Sequence, residues 1–153
     1  MVTLLDNEYA QTKDATISSL KALKDFYTAQ YNRLNKNMSK ESFGNAVSDA
    51  ISKVGNFIPP GISTAVTIVE ELLLWTSSSE YDKFKKATIS ARNTIDNLIA
   101  FLEPKTQNNS GIVKFELRVV YTQFTMNDKS KCSVFNYATV TGYYDKYGNK
   151  ATQ

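Results

Sequence analysis

The sequence predicts an α+β protein, an antiparallel helical bundle of three to four helices followed by a C-terminal antiparallel β hairpin. Two observations predict it. In the first two thirds, apolar residues recur at the helical interval: Ile17, Leu20, Tyr27, Tyr31, Leu34 and Met38 fall on one helix face, and Tyr81, Phe84, Ala91, Ile95, Leu98, Ile99 and Leu102 on another. After the polar run KTQNNSG the period drops to two, with Val113, Phe115, Leu117, Val119 and Tyr121 alternating with Lys114, Glu116 and Arg118. A chain of 153 residues suits one domain, 1–153, with a helical part over 7–104 and a β-hairpin part over 112–147.

The first helix is expected over residues 7–38, a stretch without Gly or Pro in which Leu23 and Phe26 widen the apolar face and Lys24 interrupts it. Asn35, Asn37 and Ser39 mark its end, and Phe43, Val47, Ile51 and Val54 trace a second, shorter helix. Gly55, Pro59, Pro60 and Gly61 break that helix, because proline lacks an amide donor and biases its predecessor away from the α region. A third helix starts near Ser63 and is apolar almost all round through Trp75, with Glu70 and Glu71 the exceptions. Ser77 and Glu80 form the capping-box pattern that starts the last helix, and Pro104 closes it.

In the β part, the apolar set shifts past Tyr121 to Phe124 and Met126, which predicts a bulge or twist. NDKSK is the hairpin connection, CSVFNYATVTGYY the return strand and DKYGNK a second turn. Two strands alone are marginal in water. They must pack on the helices, recruit VTLL near the N-terminus as a third strand, or pair with another molecule.

The chemistry is bounded by what the chain lacks. It has no histidine and one cysteine, Cys132, which removes the usual neutral-pH base, zinc-finger and Cys-His sites and any intrachain disulfide. The six glycines form no phosphate-binding loop, and Glu70 and Glu71 diverge by about 100° on a helix. No enzymatic activity, cofactor, metal or small-molecule substrate is expected. A net charge of +3 with scattered lysines argues against nucleic acid. No basic region followed by an apolar run opens the chain, so no signal peptide is expected; the protein reads as made soluble in the cytoplasm, with later release left open.

Two candidate surfaces remain. The uncharged stretch after Lys53 supplies membrane-insertion candidates: Val54, Phe57, Ile58, Pro59, Pro60, Ile62, Val66, Val69, Leu72, Leu73 and Trp75. It is too short and too broken by proline for a constitutive span, which needs about twenty apolar residues, so it reads as a core hairpin that inserts conditionally. Tyr121, Phe124, Phe135, Tyr137, Tyr143, Tyr144 and Tyr147 form an aromatic candidate surface for sugar, lipid headgroup or protein, or else stabilise the hairpin by cross-strand pairing.

The stretch SKVGNFIPPGISTAVTIVEELLLW, with EYDKF and IDNLI after it, resembles the first helices of the pore-forming domain of insecticidal three-domain crystal toxins, the delta-endotoxins, and more broadly α-helical pore-forming toxins. The likeness covers about residues 52–99 and rests on Gly55, Pro60, Trp75, Tyr81, Phe84, Ile95, Leu98 and Ile99. The chain departs from that family in the spacing of Ile95 from Phe84 and in placing strands where further helices should follow. The resemblance implies a soluble bundle that exposes an apolar helix hairpin, inserts it and oligomerises. The residues therefore support two functional expectations: a membrane-active, toxin-like protein, or a self-associating or partner-binding module that uses the exposed β hairpin.

Overall fold

The computed structural model describes residues 2–107 and 109–152. Four helices pack against a four-stranded antiparallel sheet. The chain begins with strand β1 (Leu4–Ala15), continues through helices α1 (Ile17–Leu34), α2 (Lys40–Lys53), α3 (Ala65–Leu72) and α4 (Ser79–Leu102), and returns as strands β2 (Ile112–Met126), β3 (Lys131–Asp145) and β4 (Lys150–Thr152). The sheet order is β1-β2-β3-β4.

This overturns the expected helical bundle with a C-terminal hairpin. The protein is α+β, but strands stand at both ends of the chain and the hairpin is the middle of a larger sheet. The helix expected over 7–38 is the source of the difference. Its apolar stripe begins only at Ile17, and residues 7–16 lack a helix breaker without carrying a helical stripe of their own. β2 presents a full row of main-chain groups on that side, and β1 satisfies them along an unbroken register from Leu4↔Met126 to Ala15↔Phe115. Thr16 marks the junction. Its backbone is extended, and its side chain and that of Ser19 cap each other's amides in a reciprocal box that starts α1.

The other helix starts follow the same chemistry. Ser39 caps α2 through the Ser42 amide. Ser78, one residue after the expected Ser77, caps α4 through the Tyr81 amide, with Glu80 and Asp82 in the first turn facing the positive helix end. The third helix is shorter than expected. Ile62–Thr64 and Leu73–Trp75 are 3₁₀ turns flanking the two-turn α3.

One continuous core joins both layers. Phe84 on α4 meets Phe124 on β2 edge-on at 5.1 Å between ring centres, and Phe57 packs on Phe135 of β3 at 6.5 Å. α1 and α4 share a buried hydrogen bond from the Gln30 amide to the Thr88 hydroxyl, 2.8 Å. α1 is tied to α3 by a forked ion pair, Arg33 Nε and Nη2 to the two oxygens of Glu70 at 2.8 and 2.7 Å. The hydrogen bonds from Arg33 lower the Glu70 carboxyl pKa. β2 pairs with β3 through register shifts, one of them between Val120 and Tyr121, where the apolar pattern changes phase.

Candidate functional site

The two candidate sets lie in different environments from those their sequence pattern alone describes. Val54, Phe57, Pro59, Ile62, Val69 and Leu72 are buried, and Ile58, Pro60, Val66 and Leu73 are half-buried. Trp75 is 40% exposed, and its neighbour Leu74, 74% exposed, was not among the candidates. The whole stretch wraps the core instead of standing apart from it. Among the described residues no helix is long and apolar enough to cross a membrane.

The seven aromatics are not brought onto one surface. Tyr121, Phe124 and Phe135 are buried, Tyr143 and Tyr144 half-buried, and Tyr137 and Tyr147 exposed. Tyr121 and Phe124, three residues apart on one strand, point to opposite faces. On the Tyr121 face a polar cluster gathers. Tyr9 stacks obliquely on Tyr121 at 5.6 Å and shares a 2.5 Å hydrogen bond with the Ser133 hydroxyl. The Lys13 ammonium lies 5.3 Å from the Tyr121 ring centre and donates to the Ile58 carbonyl at 2.6 Å. Partial burial lowers its pKa. The Tyr121 hydroxyl is fully buried without a partner among the described residues, and burial raises its pKa. The nearby Cys132 thiol is also buried and pushed up to about 12, so it is held as an inert thiol.

The sheet edges provide the sharper feature. Met126 directs its amide at Ser130 and its carbonyl at Lys129, inside the β2–β3 turn. The alternation of an antiparallel ladder then turns the main-chain groups of Thr125, Gln123, Tyr121 and Val119 toward β1. Their partners Leu5, Asn7, Tyr9 and Gln11 bond inward, and Asp6, Glu8, Ala10 and Thr12 present N–H and C=O outward. The Lys83 ammonium, which donates to the Leu4 carbonyl at 3.0 Å, confirms that parity.

The two edges are treated differently. On β3 the outward Ser133 amide donates to the Pro60 carbonyl at 3.0 Å, the outward Phe135 amide donates to the Tyr27 hydroxyl at 2.8 Å, and β4 covers Gly142–Tyr144. The Pro-Pro-Gly turn is therefore an edge cap. On β1, among the described residues, no protein group bonds the outward amides or carbonyls of Asp6, Glu8, Ala10 and Thr12. The side chains of residues 5–8 and 10–12 are exposed on both faces of the strand. Neither proline nor a bulge interrupts this edge.

A cleft of about 390 Å³ between α1 and α2 has a floor that includes Ala22, Phe26, Ala46 and Ala50, and a rim that carries both signs of charge in Lys21, Lys53, Asp25 and Asp49. That mixture creates no polarised site. The open β1 edge escaped sequence reasoning because residues 4–15 have neither strand alternation nor β-branched enrichment. The Thr16–Ser19 capping pair was the signal that would have separated strand from helix. No family model matches this chain, no curated protein matches it in sequence, and no solved structure matches it in fold.

Proposed function

We propose that this protein is a non-enzymatic binding module that captures an extended strand on the open edge of β1. The observation that carries the reading is the contrast between the two edges: β3 is capped at Ser133 and Phe135 and covered by β4 at Gly142–Tyr144, whereas among the described residues Asp6, Glu8, Ala10 and Thr12 of β1 are all left unpaired. An edge of this length, flat in register and free of proline, is a template for strand addition, in which main-chain bonds give affinity and alternate side chains give selectivity. The binding element is thus β1, beside the hairpin, and not the hairpin itself.

The test is fluorescence anisotropy of a labelled peptide with the sequence of residues 115–126, the strand that β1 already pairs with on its inner side. Wild-type protein binds it, and Ala10→Pro weakens binding about tenfold or more, since the substitution removes an outward donor without touching the inward ladder. Thermal unfolding of Ala10→Pro close to that of the wild type shows that the fold is kept. No binding by the wild type, or equal binding by both proteins, overturns the reading.

A membrane-active role, the second reading, draws on one observation: Leu74 and Trp75 project into solvent where α3 hands over to α4. Contact there is shallow. Releasing Val54, Phe57, Ile62, Val69 and Leu72 from the core costs about 1.5–3 kcal/mol each, a sum comparable to the whole stability of a domain. Trp75 is the single tryptophan, so its emission reports directly. A blue shift on adding anionic phosphatidylserine vesicles is the expected result, and unchanged emission at neutral and acidic pH removes this reading.

A further inference from the structure

We infer that the strand captured by β1 is β1 of a second copy, paired antiparallel about a two-fold axis at Tyr9; the inference rests on the strand-addition reading above. Outward main-chain groups belong to the even-numbered residues, so a symmetric pair must set even residues opposite even residues. Within the exposed window the axis can then fall at residue 7, 8, 9, 10 or 11. Charge disfavours four of these, although Asp6 is paired with Lys83 at 3.1 Å and Asp14 with Lys114 at 3.7 Å. An axis at Asn7 sets Asp6 directly opposite Glu8, and one at Glu8 sets Glu8 opposite itself. An axis at Ala10 sets Asp6 opposite Asp14, and one at Gln11 sets Glu8 opposite Asp14.

The axis at Tyr9 leaves no two carboxylates directly opposed. Asp6 faces Thr12, Glu8 faces Ala10, Asn7 faces Gln11, and Leu5 lies along the alkyl stem of Lys13. At the axis the two Tyr9 Cα positions are opposed, and each ring leans inward over Tyr121 to the Ser133 hydroxyl of β3, which keeps it out of the seam. Four narrow pairs supply about eight main-chain hydrogen bonds. The four strands of each copy join into one continuous sheet, and the unprotected edge disappears.

Light scattering across a wide concentration range, combined with mild oxidation of cysteine variants, tests the register. Asn7 and Gln11 are exposed, and in this pairing they face each other as a wide, closely approaching pair whose Cα separation of about 4.5 Å suits a disulfide. The double variant Asn7→Cys/Gln11→Cys is expected to form a covalent dimer, while neither single variant does, and the buried Cys132 contributes no background. Ala10→Pro is expected to raise the dimer dissociation constant about tenfold or more through the lost hydrogen bond in each copy. A protein that stays monomeric but binds the 115–126 peptide in an Ala10-dependent way overturns the second copy and leaves the strand-addition reading standing. A dimer indifferent to Ala10→Pro overturns both. Crosslinking by either single variant overturns the register at Tyr9.

Discussion

Phe57→Ala lowers the stability of the fold by about 3–5 kcal/mol, the range for removing a fully buried phenylalanine. Phe57 sits in a single 3₁₀ turn, Gly55–Phe57, yet it is 1% exposed and meets Phe135 across the end of the sheet. Most turns of this length lie on the surface and tolerate such a change. This one seals the core where β1, α2 and the Pro-Pro-Gly turn come together. Urea unfolding followed by circular dichroism gives the measurement, with Trp75→Ala, at an exposed position of the same stretch, as the reference. Equal losses for the two variants would show that the turn is not part of the core.

Gly61→Ala costs about 3 kcal/mol or more, and Gly55→Ala only about 1 kcal/mol. Both glycines have positive φ, +77° and +65°, so both substitutions carry left-handed backbone strain. Only Gly61 adds a collision. A Cβ there would stand 2.5 Å from the Lys131 carbonyl oxygen and 3.1 Å from the Cys132 Cα, whereas nothing lies within 4 Å of one at Gly55. The close approach at Gly61 lets the Pro60 carbonyl reach the Ser133 amide. Relieving the collision must pull the turn away from β3 and uncap its edge. Parallel melts of the two variants decide the point, and matching midpoints would remove the steric part of the account.

Much of the architecture was legible in local patterns. The stripe from Tyr81 to Leu102 became α4, the period-two run became β2, and the apolar phase change near Tyr121 coincides with a register shift. The return after DKYGNK is β4, the short strand Lys150–Thr152. The first strand was legible only at its start, as the option of recruiting VTLL, and its continuation to Ala15 was not. LLDNEYAQTKDA carries no strand alternation, and full burial is limited to its ends, Leu4 and Ala15. Such a segment is a strand because a neighbour needs it, and that need is written about 110 residues away in β2.

The candidate site divides in the same way. Nothing in the sequence near Pro59 and Pro60 says that the Pro60 carbonyl faces a strand edge, and nothing near Ala10 says that its amide faces water. The stretch from Val54 to Trp75 reads as uniformly apolar, but its Leu74 and Trp75 end is exposed while Phe57 is sealed, a difference set by which side chains the sheet happens to cover.

Composition and periodicity by themselves determined an α+β chain with a real core, three to four helical segments, a β hairpin and no histidine. Those properties follow from residue type and spacing, which act over one or two turns. Only the tertiary structure decided that the N-terminal segment is a strand, that the Pro-Pro-Gly turn caps β3, and that β1 is left open. Main-chain hydrogen bonds between distant segments carry no side-chain signature, so the edge that remains unpaired can be found only after every other edge has been matched.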